Sequence, residues 1–203
     1  SVGSFLNAEL SSSLQAELRL RAMSTDRAAY PVASGGPRLA TAEILEVADS
    51  EEVILGGSLK WRFKRHQETI RLTYMNSEAN STTAAIPGGV FSGTPQSTSG
   101  MDFRRLQVML HSRVLLTDSI EFGAGLEFQH ERGSTQGELD FGFFQVPTDF
   151  RTSRSTVAPF AEGRVRLSSS VTAYAGLRYD DYSDGDSALS TRLGAEYRHQ
   201  HSG

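Results

Sequence analysis

Residues 171–198, VTAYAGLRYDDYSDGDSALSTRLGAEYR, decide how the rest of the chain reads. Val171, Ala173, Ala175, Leu177 and Tyr179 occupy every second position. Leu189, Leu193, Ala195 and Tyr197 repeat the pattern, interrupted at Thr191. A period of two sends successive side chains to opposite faces of a strand. The polar run from Asp180 to Asp186 lies between the two halves and marks the tip of an antiparallel hairpin. The other face carries Thr172, Tyr174, Gly176, Arg178, Ser190, Arg192, Gly194 and Glu196. A soluble sandwich buries the apolar face and wets the polar one. A membrane barrel turns the apolar face to lipid and the polar face to its lumen. Taken alone, the hairpin fits both.

The chain upstream separates them. Leu14, Ala16, Leu18, Leu20 and Ala22 alternate with Gln15, Glu17, Arg19, Arg21 and Met23. Their residue types also suit a helix, but strict alternation over this length predicts strand. The same rhythm runs through Val53–Phe63, Ile70–Tyr74, Leu106–Val114, Ile120–Phe128 and Thr156–Leu167. Ala40–Val47 reads as a short helix inside a connection. The connections alternate in length: short at 11–13, 64–67, 116–119 and 168–170, long at 25–49, 77–100 and 131–154. Strands of about ten residues cross a hydrocarbon layer when tilted. Short turns on one rim and long loops on the other mark an outer-membrane barrel. Trp61 and Phe63 beside one short turn, and Tyr74, Phe128 and Tyr179 toward the long-loop ends, fit aromatic girdles at the two interfaces. The sequence therefore predicts an all-β, antiparallel up-and-down transmembrane β-barrel segment of about nine strands, an incomplete barrel.

Composition narrows the function. The chain has 203 residues, a net charge of -4 and no cysteine. There is no basic footprint for nucleic acid, and disulfides and thiolate metal sites are excluded. No apolar run reaches the length of a membrane helix. Ser1-Val2-Gly3 does not open a signal peptide, so an exported protein is expected to be represented by a mature form or a piece.

The stretch Ala175–Asp184, AGLRYDDYSD, followed by Thr191–Arg198, TRLGAEYR, resembles a hairpin of TonB-dependent outer-membrane receptors, closest in flavour to the cobalamin and siderophore receptors. Pro159–Leu167, PFAEGRVRL, is similar to a strand of the same family. This sequence departs from the family pattern at Ser190-Thr191 and at Gly185-Asp186. The resemblance implies that residues 1–203 form part of a larger receptor barrel, with no plug domain and no C-terminal strand. It implies a bacterial outer-membrane location, contact with outer-membrane lipid, and uptake of cobalamin or a ferric siderophore. The TonB system would drive that uptake through the plug. Ligand would first meet the external loops 25–49, 77–100 and 131–154.

Local chemistry adds little. Asp180, Asp181, Asp184 and Asp186 offer oxygen ligands of the kind Ca²⁺ takes, a reading the resemblance also allows; a solvated hairpin tip is the plainer alternative. His66, His111, His130, His199 and His201 show no metal spacing beyond His199-x-His201, and no further cofactor is expected. No hydrolase elbow or phosphate loop occurs, so no enzymatic activity is expected. His111 and Ser112 point to opposite faces. The Phe residues at 141, 143, 144 and 150 either pack their own loop or meet an apolar ligand. Arg19, Arg21, Arg71, Arg105, Arg113, Arg178 and Arg192 share a face with Glu17, Glu121, Glu127 and Glu196 and should pair with them. The rival readings are a small outer-membrane porin or adhesin barrel and a soluble β-sandwich binding module.

Overall fold

The computed structural model describes residues 1–30, 45–86 and 93–198. They form one antiparallel sheet. Its long strands are β1 (Val2–Ser11), β2 (Leu14–Ala29), β3 (Glu46–Phe63), β4 (His66–Thr83), β5 (Gln96–Leu115) and β6 (Ile120–Asp140). After a short β7 (Gln145–Pro147) come β8 (Phe150–Arg166), β9 (Val171–Tyr182) and β10 (Ala188–Tyr197). Sequential strands lie side by side from β1 to β10, and β7 pairs only with β6. No ladder joins β1 to β10, so the sheet is open on both sides.

The fold class expected from the sequence is the one observed, with three corrections. Among the described residues the strand count is ten, because β7 folds back on β6 inside the third long connection. The strands are also longer than predicted: β3 and β4 have 18 residues each, β5 has 20 and β6 has 21. Much of what reads as loop at 25–49, 77–100 and 131–154 is therefore paired strand. The reason is physical. Backbone hydrogen bonding continues beyond the apolar zone, where neither face needs apolar side chains and alternation of hydropathy stops. Residues such as Ser77-Glu78-Ala79-Asn80 stay in register with β5 without carrying the sequence signal. Of the helix expected at Ala40–Val47, residues 40–44 lie outside the described residues, while Glu46 and Val47 belong to β3.

Register gathers each kind of side chain on one face. Leu6, Leu18, Leu72, Val108, Phe128 and Val157 stand in one row, with Gly57 between Leu18 and Leu72. The next row along the strands is polar and points the other way: Arg19, Gly56, Thr73, Gln107, Gln129 and Thr156. The apolar band runs over Leu14–Ala22 of β2, Val53–Phe63 of β3, Leu106–Val114 of β5, Ile120–Phe128 of β6 and Val157–Val165 of β8. Each segment matches the roughly nine to eleven residues with which a tilted strand crosses a bilayer.

The sheet has no interior of its own. Ala158 is the sole buried apolar residue among those described, while Leu193 is 82% exposed and Leu6 63%. A compact protein of 22.1 kDa exposes about 9,300 Å²; this chain exposes 14391 Å². That excludes the soluble sandwich, whose two sheets would cover each other's apolar faces. The short turns behave as expected: Lys64 and Arg65 join β3 to β4, and Lys64 takes a φ of 51°, the left-handed conformation that tight hairpins require.

The two faces should respond differently to charge. In protein folded into lipid vesicles, Leu126→Arg in the middle of the apolar band should cost about 2–4 kcal/mol. Gln129→Arg on the polar face should cost less than about 1 kcal/mol. A denaturant titration of both variants measures the difference, and equal losses would contradict the assignment of faces.

Candidate functional site

The polar face is organised by arginine. Arg178 on β9 reaches across β8 to Glu127 on β6 with a two-pronged contact, Nη1 to Oε2 at 3.1 Å and Nη2 to Oε1 at 3.2 Å. Its Nε also donates to Asp180 Oδ1 at 2.9 Å. Ala158 lies between the two strands' charges, opposite Glu127, and its small side chain leaves the guanidinium room to cross. Fork-to-carboxylate geometry of this kind is among the strongest polar contacts. The Glu127 and Asp180 side chains are largely buried at 15% and 12% exposure, so the fork operates with little water.

A second centre stands further along the strands, beyond the apolar band. Glu131 on β6 accepts from Arg105 of β5, with Nη2 at 2.7 Å, and from Arg154 of β8, with Nη2 at 3.0 Å. Burial pushes the Glu131 carboxyl up, but the hydrogen bonds from Arg154 and Arg105 outweigh it and hold the carboxyl below its ordinary value. Toward the short turns, Arg113 Nε lies 2.9 Å from Glu121, His111 Nε2 lies 3.4 Å from Glu162, and Arg164 lies 3.9 Å from Glu196. Arg113, Glu121, Arg164, Tyr174 and Arg192 line a shallow concavity of about 290 Å³ there.

Glycine makes room for this layer. A Cβ at Gly125 would sit 2.3 Å from Phe160 Cζ and 2.4 Å from the Leu110 carbonyl oxygen. The Phe160 ring lies over Gly125 and packs against His111, with centroids 5.4 Å apart. At Gly194 the Tyr174 ring plays the same part, and Arg192 covers that ring at 5.1 Å.

The predicted pairing of arginines with glutamates holds for Arg19–Glu17, Arg113–Glu121 and Arg178–Glu127. Arg105 turns instead to Glu131, and Glu196 takes Arg164 and Arg198. Arg21 donates to the Met23 sulfur at 3.6 Å. Glu131, Arg154 and Glu162, the last of them the partner of His111, escaped the sequence reading because their contacts cross strands. Their signal was register, which no single strand reveals.

The acidic tip does not converge. Asp180 is held by Arg178, and Asp181 points away from it on the other face, level with Val157. Among the described residues no three His, Asp or Glu side chains are placed to hold a metal. Asp184 and Asp186 follow β9 in the connection to β10. His199 and His201 lie outside the described residues. The Phe residues of the third connection do cluster: Phe141 stacks on Phe144 at 4.7 Å, and Phe143 meets Phe144 edge-on at 4.9 Å. Phe143 is nevertheless 86% exposed, so the cluster packs itself only in part. Ser112 finds a histidine partner in His66 rather than His111, at 3.5 Å. Glu68 occupies the same His66 Nε2, so the ring cannot pass a proton from serine to carboxylate.

An open antiparallel sheet, apolar across one face and lined with paired charge on the other, is a section of the wall of a large membrane β-barrel. The TonB dependent receptor-like β-barrel family model matches residues 24–202, and the chain belongs to that family. No curated protein matches it. Among solved structures, the outer membrane transporter YddB from Escherichia coli is similar with a TM-score of 0.63 at 10% identity. That match covers 96% of this chain and 29% of the transporter. The RagAB peptide importer in its open-open state gives 0.62 at 12% identity, over 95% and 29%. The ferric yersiniabactin uptake receptor FyuA from Yersinia pestis gives 0.56 at 12% identity, over 93% and 38%. This chain thus spans well under half the length of each.

Removing the central fork should be costly. Arg178→Ala strands two enclosed carboxylates and should destabilise the folded wall by about 2 kcal/mol. Glu17→Ala removes an exposed pair and should cost about 0.5 kcal/mol or less. Because the Glu131 carboxyl is held low, its contribution is complete above the ordinary carboxylate range and is lost as pH falls through the lowered value. Glu131→Gln should therefore differ most from wild type at neutral pH and converge with it in acid, as read from stability measured across pH.

Proposed function

We propose that this chain is a wall section of an outer-membrane receptor that actively imports a ferric siderophore. Energy would come from the TonB system acting through a plug seated against the charged face. The observation that carries this reading is the arginine–carboxylate layer on one face of a family-matched barrel wall. A barrel that only conducts water and ions needs a polar lumen, but a plugged one needs a wall that grips by many weak, reversible polar contacts. The exposed pairs, such as Arg19–Glu17 and Arg164–Glu196, supply them, since a solvent-exposed pair exchanges partners at modest cost.

The ligand class is supported by the family and by likeness to FyuA, a ferric yersiniabactin uptake receptor. The exposed Phe141–Phe144 cluster at the long-connection rim adds an apolar contact surface of the kind aromatic chelators would use. Likeness to the RagAB peptide importer favours a second reading, a peptide, which that same surface would also suit. Nothing in the chain points specifically to cobalamin.

Expression of the full-length receptor in an iron-limited strain lacking its own siderophore receptors should restore radioiron uptake from a matching siderophore. Uptake should vanish when TonB is deleted. Replacing Phe141, Phe143 and Phe144 together by Ser should weaken siderophore binding about tenfold or more while leaving the receptor folded in the membrane. TonB-dependent uptake of peptide without any siderophore would establish the second reading instead, and transport that persists without TonB would overturn both.

A further inference from the structure

Inside the apolar band the pairing of β8 with β9 misses a step. It runs through Thr156–Tyr182 and Val157–Asp181 and resumes at Phe160–Arg178, without Ala158–Asp180 or Pro159–Tyr179. The register is the same on both sides of the gap, so no residue is inserted and the cause is local. Proline has no N–H to give to a ladder, and the flanking bonds show which neighbour loses it. Leu167 donates to the Val171 carbonyl and Ser183 to that of Ser155, so odd-numbered residues of β8 aim their backbone groups at β9. Arg166 donates to Ser119 at the foot of β6, so even-numbered residues aim theirs at β6. The N–H missing at Pro159 is therefore the one that would reach the Tyr179 carbonyl. Pairing with β6 runs on unbroken through Pro159–Leu126. A proline here is out of the ordinary, because strands paired on both sides exclude it outside bulges. A carbonyl left without its donor in hydrocarbon costs several kcal/mol.

The polar side of the same gap holds the closest-knit side chains of the wall. Arg178 and Asp180 flank Tyr179 on β9, and Ala158 precedes Pro159 on β8. Arg178 passes over Ala158 to grip Glu127 of β6 with both Nη groups, while its Nε holds Asp180. Thr156, Ala158 and Asp180 are three of the five buried residues among those described. Where the backbone supplies one bond fewer, side chains tie β6 to β9 across β8.

We infer that Arg178 is the clasp of a proline-made seam in the wall. While its guanidinium holds Glu127 and Asp180, the β8–β9 step stays shut; when it lets go, the step opens locally. All three groups lie on the polar face, so the clasp is worked from the lumen and not from lipid. Arg178 is the most exposed of the three, which leaves its fork open to competition from a carboxylate on whatever packs against that face. The clasp depends on the polar face being luminal and is independent of what the receptor imports. Its failure would leave the uptake experiment untouched.

Hydrogen exchange of the full-length receptor in lipid nanodiscs, read by mass spectrometry on peptides covering 155–161 and 177–183, tests the clasp. Arg178→Gln should speed exchange of both peptides about tenfold, the effect of losing hydrogen bonds to a charged group on local opening. Pro159→Val returns the missing N–H and should slow exchange there about threefold or more. In that background Arg178→Gln should speed exchange only about twofold or less. Arg113→Gln, whose partner Glu121 belongs to the unbroken β5–β6 ladder, should leave both peptides at the wild-type rate. An unchanged rate in Arg178→Gln would overturn the clasp. So would equal acceleration with and without Pro159, which would make the fork a general brace, or acceleration by Arg113→Gln to the same degree. Should Arg178→Gln fail to fold, Pro159→Val alone decides: exchange no slower than wild type would overturn the proposal.

Discussion

Every peptide group that crosses an apolar layer must find its hydrogen-bond partner within the protein, and this chain meets that demand with a nearly continuous antiparallel ladder, interrupted in the described residues at Ala158-Pro159 between β8 and β9 and by a register shift between Glu9 and Ser11. Each long strand from β2 to β9 is paired on both sides, including through Gly56, Gly57, Gly123 and Gly125, where no side chain contributes packing. An unsatisfied backbone group in hydrocarbon costs several kcal/mol. The ladder therefore holds the sheet without a hydrophobic core. β1 and β10 each keep one unpaired edge, which a bilayer does not tolerate. Those edges require further strands to close on, consistent with how small a part of its solved relatives this chain spans.

Once the ladder fixes direction, the two faces divide the chemistry. The apolar face needs only to be apolar over one hydrocarbon thickness, and it is permissive about which residue stands where. The charged face is more demanding. Arg178 must cross a whole strand to reach Glu127, which works because Ala158 and the nearby glycines leave the space open. Phe160 folded over Gly125 and Tyr174 over Gly194 show the same economy, with large rings placed where a neighbour has no side chain. Layers of this kind are rigid enough to present a surface and polar enough to release it.

The parts of this arrangement that were legible in the sequence are those that repeat along a single strand. Alternation at Leu14–Ala22 or Ile120–Phe128 announces two faces because each strand alone must satisfy both environments. The strand ends were not legible, since Ser77–Thr83 and Gln129–Asp140 continue to pair outside the apolar zone, where no alternation is demanded. Nor was β7, three residues whose only partner is the end of β6.

The sequence by itself determined the fold class, the direction in which side chains point within the apolar band, and which rim bears the short turns. All of these follow from local periodicity and turn chemistry. Only the tertiary structure decided which charges meet: Glu131 with Arg105 and Arg154, Arg178 with Glu127, Arg104 against Arg132, and Asp180 committed to Arg178 rather than to its acidic neighbours. Those contacts depend on register between strands up to 51 residues apart in the chain. A shift of one residue would send each side chain to the opposite face. Register is set by the whole ladder, and no stretch of sequence states it alone.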